Sequence, residues 1–179
     1  MRIHSVSRIH HPREEVYLTY RDRLSEVAAY LPDIREIVCE SRVREEEGEG
    51  FLKVHNVWIA NRDIPSFARS FLKPEMLRWD DYARWNDDEH LVHWNIGLRV
   101  FTDNVTCGGI NRFREAEGGG TEVVLEGDLQ IELKGIPGVP SFLAKSVAPQ
   151  VEKFIVGLIT PNLTEVNASL ESFLDEHGG

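Results

Sequence analysis

The chain has 179 residues, 41% of them apolar and 28% charged, a composition that suits a soluble globular protein with a sizeable core. Its net charge of −10 argues against nucleic acid as a partner, which needs a basic face against phosphate, and against simple electrostatic attachment to anionic lipid. No run of about 18 apolar residues exists, so no stable membrane insertion is expected.

The opening MRIHSVSRIHHP lacks the continuous apolar stretch of a signal peptide. Two cysteines, Cys39 and Cys107, are too few for a disulfide framework and read as small buried apolar residues. A cytoplasmic location is expected, in which the sequons at Asn104, Asn162 and Asn167 carry no sugar.

Residues 2–9 (RIHSVSRI) alternate weakly, as a short strand. Pro12 opens a helix with Glu14 and Glu15 in its positive first turn. Val16, Tyr20, Leu24, Val27 and Leu31 then recur on one helical face, and Pro32 stops it. Asp33 caps one further helical turn over 33–38. Residues 39–45 (CESRVRE) and 51–60 (FLKVHNVWIA) flank the turn EEGEG as a hairpin. In its second strand Leu52, Val54, Asn56 and Trp58 share one face, and Lys53 and His55 the other. Residues 61–75 (NRDIPSFARSFLKPE) place Ile64, Phe67, Ala68, Phe71 and Leu72 at helical spacing and predict a short amphipathic helix. Strands follow over 76–85 (MLRWDDYARW), 90–100 (HLVHWNIGLRV), 105–117 (VTCGGINRFREAE) and 122–133 (EVVLEGDLQIEL). The last alternates most clearly, with Val123, Leu125, Leu129, Ile131 and Leu133 inward. Residues 149–177 predict a long helix, with Pro149 in its first turn and Pro161 kinking or splitting it.

No repeat or linker divides the chain, so a single domain over 1–179 is expected. Its class is α+β: an antiparallel sheet of about seven strands whose apolar face needs a cover, and only the C-terminal helix is long enough to supply it. Gly97, Gly108, Gly109 and Gly127 within strands permit bulges and strong coiling.

Two segments carry a family resemblance. HPREEVYLTYRDRLSEVAAYLPDIREIVCESRVREEEGEG (11–50) and IPGVPSFLAKSVAPQVEKFIVGL (136–158), together with the order of elements, resemble the helix-grip superfamily. That group includes START-related lipid-binding domains, birch-pollen-allergen-like proteins and polyketide cyclases. The resemblance implies a curved sheet wrapped around a long C-terminal helix, with an internal cavity for a hydrophobic small molecule or lipid. It carries no catalytic signature.

The stretch WDDYARWNDDEHLVHW (79–94) holds three of the four tryptophans. Alternation places Leu77, Trp79, Asp81, Ala83 and Trp85 on one face of a hairpin, with Val92, Trp94, Ile96 and Leu98 beside them. Burying three indoles removes roughly 450–750 Å² from water, on the order of 10–15 kcal/mol, comparable to a domain's whole stability. They therefore face inward, and Trp58 on the neighbouring strand with them. Whether they fill core or line a cavity is open at this level. Asn56 and Asp81 are the polar residues on these faces, and bond backbone, water or a ligand's polar end. Asp87, Asp88 and Glu89 form a solvated turn without calcium-loop spacing.

No metal or cofactor is expected. His90 and His93 lie three apart on a strand and point to opposite faces. No serine sits in a nucleophile elbow, and GGG at 118–120 precedes a strand, the wrong setting for a phosphate loop. Arg112 and Arg114 read as solvent-facing. Ile64, Phe67 and Phe71 form either a fixed cover or a lid over a cavity mouth, with GIPGVPSFL (135–143) beside it. The candidate ligand-binding residues are Asn56, Trp58, Trp79, Asp81, Trp85 and Trp94, with Phe154 and Leu158 from the last helix. Three functions remain open: a non-enzymatic carrier or sensor of a hydrophobic molecule, a cyclase/dehydratase-type enzyme using Asp81 with Asn56 or Tyr82, and a solid-core interaction module.

Overall fold

The computed structural model describes residues 1–45, 50–70, 72–133, 139 and 141–178, with the side chains of 141–143 excepted. Expectations for most of the EEGEG turn, for Phe71 and for residues 135–138 and 140 of the GIPGVPSFL loop lie outside the described residues.

Seven strands build one antiparallel sheet: β1 (Arg2–Ile9), β2 (Ile34–Arg44), β3 (Leu52–Ala60), β4 (Arg78–Asn86), β5 (Leu91–Leu98), β6 (Val105–Glu115) and β7 (Thr121–Ile131), in the spatial order β1-β7-β6-β5-β4-β3-β2. From β2 to β7 each strand pairs with its neighbour in the chain, and β1 pairs with β7. The first two strands thus occupy opposite edges. The helices α1 (Arg13–Asp22) and α2 (Leu24–Val27) carry the chain between them. A long helix, α3 (Ser141–His177), covers the sheet's inner face. The core forms between the two: Val123, Leu125 and Leu129 of β7 and Ile155, Ile159, Val166 and Leu170 of α3 are all buried.

Several local expectations change. Residues 34–38 belong to β2, not to a helical turn. Ile34 and Ile37 are the inward pair, because the register shifts between Ile34 and Glu36, so a bulged strand buries residues three apart as a helix would. The first helix is broken at Arg23, although Val16, Tyr20, Leu24, Val27 and Leu31 still form one buried face. The described residues of the 61–75 segment form no amphipathic helix. They make two 3-10 turns, Ser66–Ala68 and Pro74–Met76, that bury Ala68 and, between them, Leu72. Cys39 is exposed, since it falls where β2 runs along the sheet edge, whereas Cys107 is buried.

Helix α3 begins earlier than expected and runs unbroken through both prolines. Pro161 has no N–H to give the carbonyl of Gly157, four residues back. The guanidinium of Arg62, in the loop after β3, donates to that carbonyl instead. Asp33 pairs with the same arginine at 3.5 Å. One long-range contact thus satisfies the group that the proline orphans.

Candidate functional site

The register of β3, β4 and β5 sets Trp58 opposite Trp79, Asn56 opposite Asp81 and Ala83 opposite Trp94. Because residues two apart share a face, Asn56, Trp58, Trp79, Asp81, Trp85 and Trp94 all turn toward α3 and line one space. The chain has four tryptophans, and all four meet here. Trp58 and Trp79 stack at 5.8 Å with an interplanar angle of 19°. Tyr20 of α1 meets Trp85 edge-on at 5.6 Å. Ile159, Asn162 and Leu163 of α3 close the space from above.

Two glycines make room for Trp94. A β-carbon on Gly109 would stand 2.5 Å from the Trp94 ring, and one on Gly127 would stand 2.8 Å from it. These positions are needed for close packing of an indole onto the sheet, in addition to any effect on its coiling.

The free space is about 30 Å³, room for about two waters. The ligand-sized cavity expected from the resemblance, several hundred Å³, is not open among the described residues. Four indoles supply enough bulk to occupy the region between sheet and helix, and the glycines let one of them sink into the sheet.

The polar groups fall into two sets. At one end Asp81 Oδ2 accepts from Trp58 Nε1 at 3.3 Å and from Asn56 Nδ2 at 3.5 Å. Both contacts are long. Burial pushes the Asp81 carboxyl up to about 6, against those two hydrogen bonds and the nearby His55. Toward β6, Asn111 Oδ1 accepts from Trp94 Nε1 at 2.9 Å. The phenol of Tyr20 is driven above its ordinary range by burial and by the Asp81 charge, with a hydrogen bond to Asn111 acting the other way. Trp85 Nε1 is buried with no hydrogen-bond partner among the described residues. No three His, Cys, Asp or Glu side chains among the described residues are grouped to hold a metal ion.

The acids between β4 and β5 are more than a solvated turn. Asn86 Oδ1 accepts from the N–H groups of Asp88 and Glu89. Asp87 accepts from Tyr17 at 3.0 Å, Arg21 at 2.7 Å and Arg44 at 2.9 Å. Burial acts to raise its carboxyl, but these donors outweigh it and hold the group below the usual range. Asp87 thereby ties α1 and β2 to the tryptophan hairpin.

No protein-family model matches the chain, and no curated protein does. Solved structures do. The Zhui aromatase/cyclase from Streptomyces sp. R1128 superposes with a TM-score of 0.62 at 15% identity, over 100% of this chain and 98% of that one. Norcoclaurine synthase from Thalictrum flavum gives 0.52 at 12% identity, over 99% and 87%. Ara h 8.0201 gives 0.51 at 10% identity, over 98% of each. The chain has the helix-grip fold. Identities this low carry the fold and no residue roles.

Within the helix-grip fold of this chain, Phe154 and Leu158 do not reach the tryptophan site. With Leu72, Leu77, Leu98 and Phe101 they border a second void of about 20 Å³. The helix advances 1.5 Å per residue, so its next turn, with Ile159, Asn162 and Leu163, is the one that meets the indoles. Ile64 is buried in the core. Phe67 lines an open cleft of about 330 Å³ together with Arg62, Lys153 and Phe154. Tyr82 is half-exposed on the sheet's outer face, stacked on His55 at 4.5 Å, so it cannot act with Asp81. Arg112 and Arg114 pair with Glu126 and Glu122 on that outer face. Asn111, outside the candidates the sequence offers, also lines the site, and its parity with Cys107, Gly109 and Phe113 marks it as inward. Tyr20 and Asn162 sit on helices that reach the site only through tertiary packing.

Proposed function

We propose that this chain binds a hydrophobic small molecule or lipid between β3–β5 and α3, as a carrier or sensor. The convergence of every tryptophan in the chain on one site that also holds an incompletely paired carboxyl carries this reading. A region built only to pack would gain nothing from a half-buried acid with two long contacts, because removing a polar group from water without good partners is destabilising. An apolar guest whose polar end meets Asp81, Asn111 or Trp85 Nε1 accounts for both features. With about 30 Å³ free, binding requires the indoles or the α3 turn at Ile159–Leu163 to move outward. The phenylalanines at 67 and 154 beside the open cleft belong to the proposed mouth. Ile64 lies behind it as a fixed support.

An apolar fluorescent probe should quench tryptophan emission in a saturable way. Trp79→Ala and Trp94→Ala should weaken that binding about tenfold, while His93→Ala, on the exposed outer face, should not. Absence of saturable quenching in the folded protein would defeat the proposal.

A second reading, an enzyme of the cyclase/dehydratase type, is favoured by one observation. A carboxyl pushed up to about 6 is poised for general acid or base work near neutral pH. Under that reading Asp81→Asn removes turnover and leaves affinity for a neutral apolar probe intact. A carrier shows no turnover to lose.

A further inference from the structure

The tryptophan site has a one-sided electrostatic character. Among its described lining residues Asp81 is the one charged side chain, and no lysine, arginine or histidine joins it. The other prominent groups are indoles, whose ring faces carry negative potential and attract cations. Trp58 and Trp79 lie nearly parallel, on the two strands that also carry Asn56 and Asp81. Oxygen Oδ2 of Asp81 takes both long contacts from Trp58 and Asn56. The chain's net charge of −10 also draws cations toward the protein and repels anions.

Resting on the reading that this site opens to a guest, we infer that its preferred ligand carries a quaternary or tertiary ammonium group on an apolar or aromatic frame. The nitrogen would sit among the indole faces beside Asp81. Burial of a cation is unfavourable unless opposite charge and polarisable faces replace its water, and this site offers both. An ammonium with few N–H groups suits it best, because the aromatic walls offer no row of acceptors. An anionic guest meets the opposite conditions: a half-buried carboxylate, ring faces of the wrong sign and no basic residue among the described lining.

Phenyltrimethylammonium and tert-butylbenzene share one shape and differ in charge, so their comparison isolates the inference. Binding of each to the wild-type protein is measured at pH 8 by displacement of the apolar fluorescent probe. The cation should bind about tenfold or more tightly than its neutral isostere, the effect of a desolvated cation–π contact with a carboxylate beside it. Asp81→Asn, checked for folding by circular dichroism, should reduce that ratio at least threefold. A wild-type ratio at or below one overturns the inference without any variant, as does a ratio that Asp81→Asn leaves unaltered. If tert-butylbenzene binds and the cation does not, the inference falls and the hydrophobic site stands. If neither binds and the apolar probe also fails, both fall together.

Discussion

Asp81 holds its proton to higher pH when folded than when unfolded, rising from 3.8 to about 6 because burial disfavours the charged form. Between about pH 4 and pH 6 the native chain therefore binds more protons than the unfolded chain, and this group's contribution to stability falls as pH rises. The difference amounts to about 2–3 kcal/mol. Asp81→Asn removes the titration, so urea midpoints should show the variant gaining on wild type from pH 4 to pH 8. Asp22, Asp80 and Asp87, held below their ordinary values, act in the opposite sense but are common to both proteins and cancel in the comparison. A stability difference that stays flat with pH would mean that Asp81 is ordinarily solvated. Gly109 and Gly127 supply a second test at this scale. Gly109→Ala collides with the Trp94 ring and, at 2.3 Å, with the Glu126 carbonyl, whereas a Gly127 β-carbon meets the Trp94 ring at 2.8 Å and backbone no closer than 3.0 Å. Thermal unfolding should show Gly109→Ala losing about 2–3 kcal/mol and Gly127→Ala about 1–2 kcal/mol, with altered tryptophan emission in both. Strand alternation alone was enough to turn Asp81 and three tryptophans inward. It could not reveal that these glycines exist to seat an indole, because that contact spans β5, β6 and β7.

At the scale of elements, α3 depends on a residue far from it in sequence. Arg62 donates to the Gly157 carbonyl that Pro161 leaves without a donor, and both positions lie next to the turn that meets the indoles. Arg62→Ala should destabilise the protein by about 1 kcal/mol, the figure for one charge-assisted hydrogen bond at a partly exposed site. In a Pro161→Ala background the helix regains its own N–H donor, so the same substitution should cost markedly less. A double-mutant cycle measures the coupling, and additive effects would contradict the link. Pro161 was legible in the sequence as a defect in a helix, but its repair was not, since nothing local marks Arg62 as the partner. The bulged start of β2 resembles a helical turn in the sequence for a related reason: Ile34 and Ile37 bury at a spacing that helices and bulged strands share. Residues 61–75 have helical spacing too, yet among the described residues Ala68 is buried in a 3-10 turn and Leu72 between two such turns, with no longer helix.

For the whole molecule, the order of elements was the strongest signal in the sequence. A strand, a helical connection, a meander and a long amphipathic helix leave few ways to cover one apolar sheet face, and the helix-grip fold is the one observed. The pairing of β1 with β7 at one edge, and the tie from Asp87 to Tyr17, Arg21 and Arg44, arise only when the sheet is assembled. The volume left inside was equally illegible: it is a small difference between large side-chain volumes and the space between sheet and helix. The proposed function requires this nearly closed region to open to an apolar guest, and the composition of the chain allows a direct test. Its four tryptophans all line the site, so the indole N–H region of a ¹⁵N-correlated spectrum reports on nothing else. Titration with tert-butylbenzene should move all four indole signals along one saturable curve. Indole signals that stay fixed while other amides shift would place binding elsewhere and contradict a ligand site between sheet and helix.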